Sequence, residues 1–185
     1  MAEPAVLARG VRKTYGHGPA AVQVLRGVDM EVSPGEFVAI LGPSGSGKST
    51  LLNMLGLMDR PDEGELSLCG RRSADMGEDA RAALRNERMG FVFQFDSLLP
   101  EFTILENVLM PARIARAQGL TTEPLAKAVV TATQLLDSMG LGALGHRFPS
   151  QTSGGERQRA AIARALINAP ALRSEEHTSE LQSQR

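Results

Sequence analysis

Residues 42–50 read GPSGSGKST, directly after the apolar run FVAIL at residues 37–41. Residues 42–49 satisfy the pattern G-x-x-x-x-G-K-[ST]. Gly42, Gly45 and Gly47 allow backbone N–H groups to curl around phosphate oxygens without side chains intruding. Pro43, Ser44 and Ser46 occupy the variable positions. Lys48 can reach terminal phosphates, and the Ser49 hydroxyl can hold Mg²⁺. From Ser49 and Thr50 onward, STLLNMLGLM reads as a helix with Leu51, Leu52 and Leu55 on one face. Its N-terminus adds partial positive charge behind the loop. FVAIL reads as a buried parallel strand, so the order is strand, loop, helix. A plain Gly/Ser-rich turn is the competing reading. At average residue usage, a chance match in a chain of this length has odds of about one in a hundred or less. The stretch implies nucleotide-phosphate binding without saying which reaction follows.

Working outward, Val6–Leu7 and the alternating VQVLRGVDMEV (residues 22–32) read as antiparallel strands, and ELSLCG (65–70) as another. DMGEDARAALRNERM (75–89) reads as a charged, solvated helix, and GFVFQ (90–94) as a second buried strand. From about Asp96 to Pro149 the pattern is helical, with Gly119 and Gly140 as helix stops. The composition agrees with a single domain: 185 residues, 42% hydrophobic, net charge -1. That charge gives no reason to expect nucleic acid as a partner. The lone Cys69 excludes an internal disulfide and fits a reducing compartment. No apolar run approaches the roughly 18 residues of a membrane span, and no secretory signal is visible, so the expectation is a cytoplasmic chain.

A second motif narrows the class. SGGE at residues 153–156 opens SGGERQRAAIARALINAP. Ser153 and Glu156 fit a capping box. Ile162, Ala165, Leu166 and Ala169 recur at helical spacing and predict the buried face. Gly154 and Gly155 stand inside the first turn, and each costs about 1 kcal/mol against Ala in a helix. That cost is understandable where a ligand approaches the backbone, because a helix N-terminus binds phosphate.

With both motifs in hand, the chain resembles the ATP-binding subunits of ABC transporters over residues 4–172. GPSGSGKST resembles their Walker A loop, and TSGGERQRAAIARAL (152–166) their signature motif, with Thr152 where the family usually has Leu. The resemblance implies an α/β fold: a P-loop NTPase (RecA-like) core with N-terminal antiparallel strands and an inserted helical subdomain. The core would span about 1–95 and 153–172, and the helical subdomain about 96–152. It further implies ATP and Mg²⁺ as cofactors, Gln94 in contact with Mg²⁺ or the attacking water, and Tyr15 stacked on adenine. Two subunits would form a homodimer in which Ser153, Gly154, Gly155 and Glu156 of one face the Walker A loop of the other. The motor would sit on the inner face of the cell membrane against an integral membrane subunit. FQFDSLLPEFTILENVLMP (93–111) and LNMLGLMDRP (52–61) resemble the subgroup of lipoprotein-releasing ATPases and macrolide-type exporters. The competing readings are another P-loop NTPase, such as a kinase or GTPase, and a non-hydrolysing nucleotide-binding protein.

The chain's last residues depart from the family. P-loop NTPases hold Mg²⁺ partly with an Asp at the end of a buried strand. The family resemblance places an aliphatic strand ending in Asp-Glu after Asn168–Pro170, yet residues 173–176 read RSEE. Unpaired charges cannot fill a strand buried on both faces. RSEEHTSELQS (173–183) resembles the conceptual translation of a sequencing-library adapter. The expectation is therefore a partial domain over 1–172 that stops before its Walker B strand, followed by a non-native tail over 173–185. Such a chain is expected to lose stability and not to hydrolyse ATP.

Overall fold

Alternation in the first residues of the chain builds a sheet, and the computed structural model places it in the first of two units. The structure describes residues 3–93 and 97–175. The units are Met1–Arg85 and Asn86–Arg185.

In the first unit, β1 (Val6–Tyr15) is flanked by β2 (Val22–Val32) and β3 (Glu63–Leu68), both antiparallel to it. The two-residue β4 (Arg71–Arg72) forms the far edge, giving the order β2-β1-β3-β4. Val6 pairs with Val32 on one side and Leu68 on the other, so the alternation stacks Val6, Ala8, Val32, Leu66 and Leu68 on a buried face. Register shifts on both sides of β1 fall beside Gly10. Opposite it, Gly64 has φ +88°, and a Cβ there would lie 2.6 Å from the Arg9 carbonyl oxygen, so only glycine fits. Helix α1 (Lys48–Leu55) buries Leu51, Met54 and Leu55, with Leu52 half-buried. Each such side chain contributes roughly 1.5–3 kcal/mol.

Two expectations fail in this unit. Residues 37–41 form no strand. Phe37 is 94% exposed and Leu41 86% exposed. A buried parallel strand needs neighbours on its edges and layers on its faces. No ladder among the described residues pairs this stretch, and its unit's sheet is antiparallel throughout. Helix α2 (Glu78–Arg88) forms as expected but is not simply solvated. It buries Leu84 and, with it, the guanidinium-bearing Arg81 at 2% exposure. Periodicity identified the helix; only the backbone it packs against explains a buried arginine.

The second unit holds β5 (Met89–Val92), α3 (Ile104–Ala117), α4 (Leu125–Ser138), α5 (Gly154–Leu166) and β6 (Leu172–Glu175). Its core joins Ile104, Val108 and Leu109 of α3, Ala132 and Leu136 of α4, and Ala160, Ala161 and Ala163 of α5. Gly119 and Gly140 do stop α3 and α4. Both have left-handed φ, and Leu120 N–H and Leu141 N–H reach back to the carbonyls of Ala115 and Leu136 at 2.8 Å. That is the Schellman pattern. The face predicted for α5 is corrected. Ile162, Ala165 and Leu166 are half-buried and Ala169 is exposed, whereas Ala160, Ala161, Ala163 and Ile167 are buried. The helix lies between two neighbours: its alanine side meets α3 and α4, while Ala165 lies against β5, where a Cβ on Gly90 would strike the Ala165 carbonyl. The most apolar residues are therefore not the most buried.

Residues 172–175 form a strand at the place where the family resemblance expects one, although Arg173, Ser174 and Glu175 are polar. β6 pairs in parallel with β5, Met89 opposite Leu172 and Val92 opposite Glu175. Ladder hydrogen bonds come from the main chain, so Arg173, Ser174 and Glu175 can adopt the pairing. The polar character shows in burial: Leu172 and Ser174 are half-buried, Arg173 and Glu175 exposed.

Candidate functional site

The GPSGSGKST loop lies in the first unit and leads into α1. Gly47 is the residue before the helix, with φ +91°, and a Cβ there would come within 3.1 Å of Val24 and 3.2 Å of its carbonyl oxygen. Glycine is thus required both by conformation and by the close approach to β2. No side chain caps the first turn of α1. Gly45 is also left-handed, at φ +79°. Gly42 has the Ser46 hydroxyl 2.7 Å from where a Cβ would stand. Lys48 folds back over the loop, and its Nζ donates to the carbonyls of Gly42 at 2.7 Å and Pro43 at 2.8 Å. The ammonium therefore sits on the loop's own entrance. Ser44 and Ser49 are exposed and Thr50 half-buried. A cradle of glycine backbone, one lysine and hydroxyls at a helix N-terminus has the donor chemistry to hold a polyphosphate and its Mg²⁺.

Tyr15, at the end of β1, belongs to the same unit. Its ring is 41% exposed, and its phenol donates to Asp59 Oδ2 at 2.8 Å. Lys13 Nζ donates to Asp59 Oδ1 at 3.0 Å and to the Arg60 carbonyl at 2.7 Å, pairs with Asp62 at 3.3 Å, and lies 5.3 Å from the Tyr15 ring centroid. Burial works to lower the Lys13 pKa, but the two carboxylates outweigh it and hold the ammonium above its usual value. Burial and the neighbouring Asp59 both push the Tyr15 phenol up, while the Thr50 hydroxyl acts the other way. Burial would raise Asp59, yet hydrogen bonds from Tyr15, the Arg60 N–H and Lys13 hold it below the usual carboxylate range. Sequence reading missed Lys13, Asp59 and Arg60. Only the antiparallel turn of the chain brings residues this distant in sequence together.

In the second unit, Ser153 and Glu156 make the expected capping box. The Ser153 hydroxyl oxygen accepts from Glu156 N–H at 3.3 Å, and the Ser153 N–H and O–H donate to Glu156 Oε2 at 2.6 Å and 2.9 Å. Those donors hold the Glu156 carboxyl below its usual value. Gly154 and Gly155 are exposed, and a Cβ on either would meet nothing nearer than Arg157 at 3.9 Å or Arg159 at 3.7 Å. Nothing among the described residues requires glycine at these two positions. Three arginines of α5 fix the helix: Arg157 donates to the Thr152 carbonyl at 2.8 Å, Arg159 to Met139 at 3.1 Å, and Arg164 to Ser97 at 2.7 Å. Replacing Ser153 by Ala is expected to cost about 1 kcal/mol of stability, read by urea unfolding. An unchanged midpoint would mean that these arginine bonds hold the helix without its cap. Gln94 lies outside the described residues.

A second capping box, at Thr103 and Glu106, went unread in FTILEN, and it opens α3. Behind it, Asn107 is fully buried with every side-chain atom bonded. Its amide donates to the carbonyls of Leu99, Phe102 and Thr103, each at 3.0 Å, and its oxygen accepts from Leu99 N–H at 2.7 Å. The segment leading into α3 is thereby pinned at four backbone groups.

Comparison with known proteins joins these pieces. A family model described as ABC transporter matches residues 25–173. The lipoprotein-releasing system ATP-binding protein LolD of Pseudomonas syringae pv. tomato is 55% identical over 174 residues, 93% of this chain and 74% of that protein. The protein of the same name from Pseudomonas fluorescens is 52% identical over 173 residues, with the same two coverages. Among solved structures, the dimeric post-hydrolysis state of the ATP-binding cassette MJ0796 bound to ADP and Pi matches with a TM-score of 0.79 and 37% identity, over 96% of this chain and 76% of that one. No helix among the described residues is long and apolar enough to cross a membrane. With a glycine cradle at one helix start and a glycine-opened, capped helix matching the signature motif at another, the chain belongs to the ABC transporter family, as one of its ATP-binding subunits.

Proposed function

We propose that this chain is the ATP-binding motor of a lipoprotein-releasing transporter, working as a homodimer against an integral membrane subunit on the inner face of the cell membrane. The observation that carries the nucleotide reading is the loop itself: Gly47 left-handed before an uncapped α1, with Lys48 folded onto the Gly42 and Pro43 carbonyls. Lys48 would pair with the terminal phosphates, Ser49 would ligate Mg²⁺, and the N–H groups of Gly45 to Thr50 would line the phosphates. Bound Mg²⁺ supplies charge neutralisation on the phosphates. Tyr15 would stack on adenine. Gln94 would reach Mg²⁺ or the attacking water. Ser153, Gly154, Gly155 and Glu156 would face the partner subunit's phosphate loop. The open space around Gly154 and Gly155 supports that reading, because the glycines cost helix stability without serving the chain's own packing. The similarity to two Pseudomonas LolD proteins supports lipoprotein release as the transported work.

The proposed domain reading is a core over about 1–95 and 153–172, a helical subdomain over about 96–152, and a tail over 173–185 foreign to the domain. The half-exposed, polar β6 supports it, as does the end of the family match at residue 173. Arg173, Ser174 and Glu175 stand where an aliphatic strand ending in an acid pair would be needed for hydrolysis. The expected result is that the 185-residue chain binds Mg²⁺–ATP but releases no phosphate above background in a steady-state assay. Turnover that depends on Mg²⁺ and disappears in Lys48→Ala would reject the tail assignment.

A further inference from the structure

Resting on the reading that Tyr15 stacks on adenine, we infer that Asp59 is the residue that positions the Tyr15 ring for the base. An aromatic ring at the end of a strand is free to turn about its side-chain bonds unless something holds its far end. Here the far end is held. The Tyr15 hydroxyl donates to Asp59 Oδ2 at 2.8 Å, and Lys13 binds the other oxygen of the same carboxylate at 3.0 Å while lying over the ring. The ammonium lies 5.3 Å from the ring centroid, and Tyr15 keeps 41% exposure through which a planar base can reach it.

Asp59 is itself fixed by the turn that follows α1. Its N–H donates to the Asn53 carbonyl at 3.3 Å, and the Arg60 N–H caps its Oδ1 at 2.6 Å. Its carbonyl accepts from the buried Arg81 of α2, which also takes the Leu57 carbonyl at 2.8 Å. Arg85 donates to that Leu57 carbonyl as well, at 2.7 Å. The turn therefore cannot shift without breaking bonds to two arginines. Asn53 belongs to α1, the helix that begins at the phosphate loop, so the same turn fixes the spacing between the phosphate cradle and the aromatic ring. Asp59 touches no phosphate-binding residue through its carboxylate, so it acts through Tyr15.

The test compares affinities for ATP and for inorganic tripolyphosphate, which has no base, by calorimetry on the full chain and three variants. Tyr15→Phe removes only the hydroxyl. Asp59→Ala removes the acceptor, while Lys13 keeps Asp62 and the Arg60 carbonyl. Tyr15→Ala removes the ring. The expected result is that Tyr15→Phe and Asp59→Ala each weaken ATP about 3- to 10-fold. Tyr15→Ala weakens it about 5- to 150-fold. Tripolyphosphate binding should stay within about twofold in all three, a change inside the noise of a lost exposed bond. If Tyr15→Ala weakens ATP while the other two do not, stacking stands and the positioning role falls. If Tyr15→Ala leaves ATP affinity unchanged, the stacking reading fails and takes the inference with it. If Asp59→Ala weakens both ligands equally, its role is general structure and the inference is overturned. Should Asp59→Ala not fold, Asp59→Leu, which fills the space without an acceptor, takes its place, because Tyr15→Phe also removes the hydroxyl's contact with Thr50.

Discussion

Replacing Lys48 by Ala is expected to weaken ATP binding by one to two orders of magnitude, because a charge-assisted hydrogen bond contributes about 1.5–3 kcal/mol. The lysine is the only cation that the loop itself carries. In the structure its Nζ rests on two loop carbonyls, a pair of neutral acceptors that a phosphate oxygen can replace with a stronger, charged one. The substitution should leave folding nearly unchanged, since the contacts it removes are exposed. Calorimetric titration gives the affinity and a thermal melt gives the fold. A variant that melts like the parent and binds ATP equally well would remove Lys48 from the site.

Arg81→Met should have the largest effect on stability, about 2–4 kcal/mol. The guanidinium is buried, and burial holds its pKa below the usual value despite the Glu78 carboxylate 3.2 Å away. Met fills the volume and removes the cost of burying a charge, which offsets part of the loss. The remainder comes from the half-buried Asp59 carbonyl, left without its donor, and from the Leu57 carbonyl, left with Arg85 alone. Leu57 has φ +55°, so this turn also stores backbone strain that the arginine bonds hold in place. Arg81→Lys should recover part of the loss, because Nη2 alone holds both carbonyls and an ammonium has donors enough for the two, while the separate Nη1 bond to Glu78 is lost. Urea unfolding of the three proteins measures this; a loss below about 1 kcal/mol for Met would show that the turn holds without the arginine.

What could be read from the sequence was local. The glycine loop that leads into α1, the Ser153 capping box and the helix stops at Gly119 and Gly140 are each set by a few adjacent residues, and each takes the local conformation expected of it. What could not be read depends on residues far apart in the chain. Residues 37–41 are apolar enough for a buried strand, but hydrophobicity does not provide a neighbouring strand. The α5 face was misjudged because a helix packed on two sides buries its small residues deepest. β6 pairs through main-chain groups that are the same for any residue except proline, so polar side chains at 173–175 gave no sign of it. Arg81 looked like one more charge on a solvated helix until the Leu57–Asp59 turn beside it was known. The Lys13, Asp59 and Tyr15 cluster joins positions 44 to 46 residues apart, and no periodicity reports such a meeting.

The most direct test of the central claim is a calorimetric titration of Mg²⁺–ATP into the 185-residue chain, beside Mg²⁺–GTP. The Gly42–Thr50 cradle and the exposed Tyr15 ring predict saturable binding of about one ATP per chain, with GTP of similar affinity because phosphate contacts and stacking are common to both bases. Absence of saturable ATP binding by a folded chain would contradict the account.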